Sequence, residues 1–218
     1  MNITILVDDK SSWFVPYAQL LKEIFKSFGE DAEIAYKQED VHSGDICFLL
    51  SCTKVVTKLF MEKNRHNIVV HASDLPRGKG FSPLSWQVME GQNEIILTLF
   101  EINEKVDAGP YYIKRSLYFD GTELINELRR KMAGEIISMC LKYVNEEEAL
   151  KPIEQKGEET FYRKLTLDDN KLDINDTLAK QFNKLRVADN ERYPAWFSYR
   201  GREYIIKIYA REENNSNS

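Results

Sequence analysis

The chain has 218 residues, enough for one domain or one domain with an appendage. A hydrophobic share of 43%, with 11 Phe, 11 Tyr and 3 Trp, supports a core that needs neither disulfides nor a metal to hold it. With 35 acidic against 30 basic side chains, the net charge of −5 argues against a dedicated nucleic-acid binder, and no apolar run approaches the roughly 20 residues of a membrane span. The start, MNITILVDD, runs straight into a strand pattern without a basic leader, which points to the cytoplasm. Three cysteines (Cys47, Cys52, Cys140) make an odd number with no C-x-x-C, as for reduced thiols. None of the three histidines (His42, His66, His71) pairs with a Cys at ligand spacing, so no metal is expected.

Residues 2–7 read as a buried strand, and 8–12 as a polar loop. Tyr17, Leu20, Leu21, Ile24, Phe25 and Phe28 recur at helical spacing, with Gly29 in the position that ends a helix. Strands are expected over 31–36, 45–50 and 68–70, with a helix over 53–63. This alternation predicts an α/β fold, Rossmann-like, with a mostly parallel sheet flanked by helices. Residues 72–81, with Pro76, Gly78 and Gly80, form a loop before a short helix over 83–89. Strands over 94–102 and 111–118 follow, then a long amphipathic helix over 122–144. Residues 145–170 are polar and wrap a surface. A helix to about Val187 and a hairpin (195–199 and 203–209) close the chain as a small appendage to the sheet. The division expected is 1–150 for the main domain, 151–209 for an extension packed on it, and 210–218 for a disordered tail.

In open α/β folds ligands bind outside the carboxyl ends of the strands. His71 ends the fourth strand, and Asp107 lies in the loop 104–110. Read alone, each has an ordinary structural explanation beside the chemical one: a satisfied histidine, and a turn aspartate. No G-x-S-x-G, no dinucleotide glycine fingerprint and no Walker A sequence is present.

Together the pieces are specific. His71-Ala-Ser-Asp-Leu-Pro76, then Gly80 and Pro83 ahead of a helix carrying Trp86, resembles the signature loop of the folate-dependent formyltransferases. Val106-Asp107-Ala108-Gly109-Pro110 resembles the second signature of that family, and Glu94 to Phe100 fits the strand between them. Tyr162-Arg-Lys, Phe182-Asn-Lys-Leu-Arg186 and Tyr193-Pro-Ala-Trp-Phe197 extend the likeness across nearly the whole chain. The wording is most similar to small N-formyltransferases that act on nucleotide-linked amino sugars, including those of pseudaminic-acid pathways. The tRNA enzymes of the family add a β-barrel domain, and this chain ends too soon after its last expected strand to hold one.

The resemblance implies transfer of the formyl group of N10-formyltetrahydrofolate, the co-substrate, to a primary amine, most naturally one on a nucleotide-linked amino-deoxysugar, with no metal. A non-catalytic folate- or nucleotide-binding member of the fold and a methionyl-tRNA formyltransferase-like enzyme stay open as alternatives. His71 is implied as donor to the developing oxyanion, and Asp107 as base and as partner of His71. The family has an Asn two residues before the His, where this chain has Val69. Asn67, four residues before it, serves as the third catalytic residue only if the strand bulges or ends early. By the same resemblance Ser51, Cys52, Lys54 and Val55 bracket the pterin from one side, and Glu104 and Lys105 from the other. Lys10, Ser11, Ser12, Trp13 and Lys79 would meet the acceptor, the basic groups at a phosphate and Trp13 against a flat ring. A small-molecule partner is implied, without membrane or nucleic acid. Tyr193, Trp196, Phe197 and Tyr199 fit either a core or a homodimer contact.

Overall fold

The computed structural model describes residues 1–211, and 212–218 of the expected tail lie outside them. In chain order the first half holds β1 (Asn2–Leu6), α1 (Val15–Ser27), β2 (Asp31–Ala35), β3 (Gly44–Leu49), α2 (Lys58–Met61), β4 (Asn64–His71), β5 (Lys79–Gly80) and α3 (Pro83–Met89). The second half holds β6 (Glu94–Glu101), β7 (Tyr111–Tyr118), α4 (Ile125–Glu146), β8 (Phe161–Tyr162), α5 (Leu178–Val187), β9 (Ala195–Tyr199) and β10 (Arg202–Ile206).

Six strands form one sheet in the order β2-β1-β3-β4-β6-β7. The pairs β1/β2, β1/β3 and β3/β4 are parallel, and β4/β6 and β6/β7 are antiparallel, so β6 alone runs against the others. The expected mostly parallel sheet is therefore present. The chain steps from β1 outward to β2 and then back across to β3, which puts a switch point between the carboxyl ends of β1 and β3. Side chains alternate along β4 as a pleated strand requires. Ile68 and Val70 join the large core shared with α1 and α4, and Val69 joins a smaller cluster with Leu49, Cys47 and Phe60 on the other face.

The structure corrects three expectations. The helix expected over 53–63 is the single turn of α2. Its first residues are held in a loop instead, because Asp8 Oδ2 accepts the N–H groups of Thr53 and Lys54, each at 2.8 Å. The β-branched run Val55-Val56-Thr57 adds little helix preference, and Thr57 Oγ1 caps the short turn by accepting the Phe60 N–H at 3.2 Å. The loop after His71 is not free of strand: β5 pairs with β8 from the polar segment. The hairpin β9–β10 forms its own two-stranded sheet, not an added edge of the main one. Its apolar face packs on Leu172 from the preceding loop, Leu185 of α5 and Ala188 just past it, so it has no need of the sheet edge.

One buried ion pair ties α5 to the main body. Arg186, fully buried, donates from Nη2 to Glu123 Oε2 (3.3 Å) and from Nε to the Glu123 carbonyl (3.1 Å). Its Nη1 reaches Asn93 Oδ1 and Asn183 Oδ1, both at 3.1 Å. Burial pushes the Glu123 carboxyl up. Lys131 and the N–H groups of Asp120 and Gly121 more than offset this, and the result is about 2 against an ordinary 4.5. A carboxyl held below its unfolded value stabilises the fold above that value and loses the contribution as pH falls. Stability carried by Glu123 should therefore fade between pH 4.5 and about 2. Thermal unfolding followed across that window should show a steeper loss in the wild type than in Glu123→Gln, and equal slopes would reject the assignment. Arg186→Met removes the four hydrogen bonds of the buried guanidinium while Lys131 and the loop amides still hold Glu123, and it should cost about 2–3 kcal/mol in urea unfolding at neutral pH.

Candidate active site

The two signature loops meet at the carboxyl end of β4. His71 is buried, and its Nε2 lies 2.8 Å from the Gly78 carbonyl. A carbonyl only accepts, so Nε2 carries the proton in this contact. The loop that follows is tied down residue by residue. Thr98 Oγ1 donates to the Ser73 carbonyl (2.7 Å), Gln87 Nε2 to the Ala72 carbonyl (2.6 Å) and Lys114 Nζ to the Leu75 carbonyl (2.7 Å). Gly80 then turns at φ +96°, and its N–H donates to Asp107 Oδ2 at 2.8 Å. A Cβ on Gly80 would lie 2.4 Å from the Tyr162 carbonyl oxygen, so no other residue fits there.

Asp107 stands in the β6–β7 loop at φ +48°, a left-handed conformation that aspartate tolerates better than most residues. Two residues on, a Cβ on Gly109 would sit 1.7 Å from the Glu101 carbonyl oxygen, which makes the glycine obligatory. The result is His71 Nε2 at 3.9 Å from Asp107 Oδ2. The carboxylate side chain keeps 16% of its surface, so an incoming group can reach it.

Asn67 does not join this pair. β4 pairs with β3 and β6 in unbroken register through residues 64–71, without the bulge or early end that would bring residue 67 forward. The Asn67 side chain is buried and donates to the Met61 carbonyl at 2.9 Å, closing the end of α2. Its backbone N–H is taken by Glu101, whose carboxyl burial pushes up while that N–H and His66 act against the shift. Val69, two residues before His71 on the same face, packs into the small apolar cluster.

The loops after β1 and β3 touch across the switch point. Ser12 Oγ and Ser51 Oγ are 3.0 Å apart, with Ser51 at φ +58°, and the Cys52 thiol donates to the Leu6 carbonyl at 3.3 Å. Burial pushes that thiol up to about 12, so it stays protonated and unreactive at neutral pH. Because Asp8 occupies the Thr53 and Lys54 amides, a ligand edge must find other backbone groups on Ser51 to Val55. Val55 and Val106 are exposed, and Lys58 Nζ lies 3.7 Å from Glu104, joining the start of α2 to the loop that carries Lys105. Lys105 donates its N–H to Asn103 Oδ1 at 2.9 Å and serves the shape of that loop.

The residues expected at the acceptor are divided. Lys10 is exposed, with Nζ 5.4 Å from the centre of the Tyr36 ring. Ser11 is bound to Asp9, which also pairs with Arg192 at 3.2 Å from the extension. Trp13 is half-buried: it packs edge-on to Phe14 and Tyr17, and the Arg129 guanidinium lies 5.7 Å from its ring centre. Lys79 is sealed, its Nζ 2.8 Å from Glu159 and its side chain 2% exposed, so it does not present its charge to a phosphate.

Sequence reasoning missed four contributors: Asp8, the carbonyl of Gly78, Gln155 and Thr160. Gln155 Nε2 donates to the carbonyls of Asp107 (3.1 Å) and Gly109 (2.7 Å), and Thr160 Oγ1 accepts the Gly78 N–H at 2.8 Å. Both lie in the polar segment 151–163, where no local pattern marks them. Among the described residues, no three His, Cys, Asp or Glu side chains gather at metal-ligand geometry, and no helix is long and apolar enough to cross a membrane.

Comparison with known proteins finds the same fold. A methionyl-tRNA formyltransferase from Clostridium thermocellum superposes with a TM-score of 0.82 at 20% identity, over 98% of this chain and 95% of that one. HypX from Aquifex aeolicus, in a structure with tetrahydrofolic acid, gives 0.80 at 18% identity over 98% of this chain and 38% of HypX. A 4-N formyltransferase from Francisella tularensis gives 0.72 at 12% identity over 97% of this chain and 98% of that one. The chain spans about half the length of the curated relatives it matches. One is the methionyl-tRNA formyltransferase of Mycoplasma capricolum, 25% identical over a 181-residue alignment that covers 79% of this chain and 56% of the relative. The formyl transferase family model matches residues 5–139, which include both signature loops, and the chain belongs to that family.

Proposed function

We propose that the protein transfers the formyl group of N10-formyltetrahydrofolate to a primary amine, and that the acceptor is a nucleotide-linked amino-deoxysugar. The observation that carries the transfer is the His71–Asp107 pair, 3.9 Å apart at the carboxyl end of β4. The co-substrate supplies the formyl carbon, and the loops 51–55 and 104–106 are the surfaces that would hold its ring. Attack by an amine puts negative charge on the formyl oxygen and positive charge on the nitrogen. His71, its ring fixed and its Nε2 proton held at the Gly78 carbonyl, is the donor for the oxygen when the formyl group takes that carbonyl's place as acceptor. Asp107, partly open and aligned by the Gly80 N–H, takes the proton from the nitrogen, directly or through one water; as the tetrahedral centre collapses, the bond from the formyl carbon to N10 breaks and N10 leaves as the amine of tetrahydrofolate, carrying that proton.

The sugar reading is supported by likeness to a sugar N-formyltransferase from a Shewanella species, with a TM-score of 0.71 at 13% identity over 97% of this chain and 98% of that one. Lys10 is the exposed cation beside the β1 loop that can meet a phosphate. Arg192 and Arg129 have carboxylate partners already, so a single pyrophosphate suits this side better than a long polyanion. The likeness to a methionyl-tRNA formyltransferase favours a second acceptor, aminoacyl-tRNA, and the same experiment separates the two.

Incubation with N10-formyltetrahydrofolate and a panel of UDP-, GDP- and dTDP-linked amino sugars, read by mass spectrometry, should give an acceptor heavier by one formyl group. Formylation of charged tRNA alone would overturn the sugar reading, and binding of no folate would overturn the transferase reading. His71→Ala and Asp107→Asn should each lower kcat by about 10²–10³-fold with the fold intact by circular dichroism. Lys10→Ala should raise KM for the sugar nucleotide and leave KM for the formyl donor unchanged.

A further inference from the structure

The segment 151–163 supplies no reacting group, yet it touches both loops that do. Ile153 exchanges two backbone hydrogen bonds with Tyr111 (2.9 and 2.8 Å) and so starts the segment against β7. Its other end is fixed to α3, where Tyr162 stacks on Trp86 (ring centres 6.1 Å apart) and Trp86 Nε1 donates to the Arg163 carbonyl at 2.8 Å. Between these anchors the segment reaches both catalytic loops by side chains, beyond the Glu159 carboxylate that closes Lys79. Gln155 holds the carbonyls of Asp107 and Gly109, and Thr160 holds the N–H of Gly78, whose carbonyl accepts the His71 ring proton.

We propose that Gln155 and Thr160 are positioning residues for formyl transfer, Gln155 for Asp107 and Thr160, through Gly78, for His71; this rests on the roles given to His71 and Asp107 above. The chemistry of each side chain matches its task. One neutral amide nitrogen carries two N–H groups, one for each carbonyl, and a lysine there would bring a charge beside Asp107. Gln155 Oε1 is buried without a partner, so the side chain is turned to suit its donors at the expense of its acceptor. Asp107 is a left-handed non-glycine residue, and such a conformation persists only where its surroundings hold it. Gly78, at φ +70°, has the freedom of glycine, and a Cβ there would meet Ser73 at 2.9 Å and Tyr162 at 3.0 Å. Sterics therefore keep the residue small, and small residues need an external hold on their peptide plane. Displacement of a catalytic group by about 1 Å costs roughly 10²-fold in rate, which is the leverage available to these two side chains.

The chain has three histidines, so the His71 imidazole N–H can be assigned in a ¹⁵N-labelled sample and its exchange with water followed without any substrate. Thr160→Val keeps the shape and removes the hydroxyl, and it should speed exchange of the His71 Nε2–H about tenfold or more, with Thr160→Ser restoring the wild-type rate. Gln155→Glu keeps the length and removes both donors, and it should speed exchange of the Gly80 amide, which reports the placement of Asp107. Gln155→Ala repeats that measurement without an added charge. In turnover both losses should lower kcat by roughly 10–10²-fold and leave KM for the formyl donor unchanged. Wild-type exchange at His71 in Thr160→Val together with wild-type exchange at Gly80 in both Gln155 variants would overturn the proposal. So would equal acceleration at His66, which lies on the opposite face bonded to Glu101 and Glu147, because that marks a general loosening. Failure to formylate any acceptor would sink the proposed function and leave the exchange test standing.

Discussion

Two places in this site bring backbone to backbone at a spacing that excludes any side chain. At Gly109 the loop after β6 folds down on the carbonyl that ends its own strand, where an added Cβ would lie 1.7 Å from oxygen. At Gly80 the loop after β4 lies against the Tyr162 carbonyl, with 2.4 Å to an added Cβ. Everything chemical follows from these contacts. The first turns Asp107 back over the sheet, and the second aims the Gly80 N–H at its carboxylate. Antiparallel pairing of β6 with β4, His71 opposite Thr98, then fixes how far apart the ends of the two strands can be. The distance between imidazole and carboxylate is thus set by main-chain geometry, which is stiffer than any pair of rotamers.

That placement also decides the electrostatics. His71 and Asp107 are mostly withdrawn from water, and charges withdrawn from water act strongly on each other and on whatever enters. Other charges nearby are paired off. Lys79 is closed by Glu159, Asp9 by Arg192, and Arg129 by Asp189. Asp8, the carboxylate nearest the switch point, is spent on two loop amides. The field at the site is then dominated by one imidazole and one carboxylate, the pair to which the proposed proton transfer is assigned.

The sequence made the scaffold legible because its signals are local. Apolar runs and helical spacing place β1, β3, α1 and α4 within a few residues of their bounds, and Gly29 marks the end of α1. Motif spacing made His71 and Asp107 legible as well. The remainder depends on contacts between residues far apart in the chain. Nothing local in the run 53–63 says that Asp8, some 45 residues away, will claim its first amides and leave only a turn of helix. Lys79 reads as a free cation in a glycine-rich loop, and only the docking of Glu159 and Phe161 buries it. Asn67 shares a face with His71, as alternation requires, but face alone does not measure distance along a strand. Trp13 looks like an open platform until Arg129, from α4, is laid over it.

The same reasoning bears on where the functional unit ends. The family model stops at residue 139, and a reading by composition separates an extension beginning near 151. Physical coupling runs across that line at several points. Gln155 and Thr160 hold the loops of Asp107 and Gly78, Arg186 is locked onto Glu123, and Arg192 donates to Asp9 and to the Ser11 carbonyl. Asp189 in turn holds Arg129 over Trp13, so residues 189–192 shape the side of the site proposed to face the acceptor. The proposed catalytic pair, built from strand ends, has a fixed geometry. The segment laid across it afterwards both keeps that pair in register and draws the outline of what may approach it. Variation in that segment can therefore change the acceptor without touching His71 or Asp107, provided the contacts made by Gln155 and Thr160 are kept.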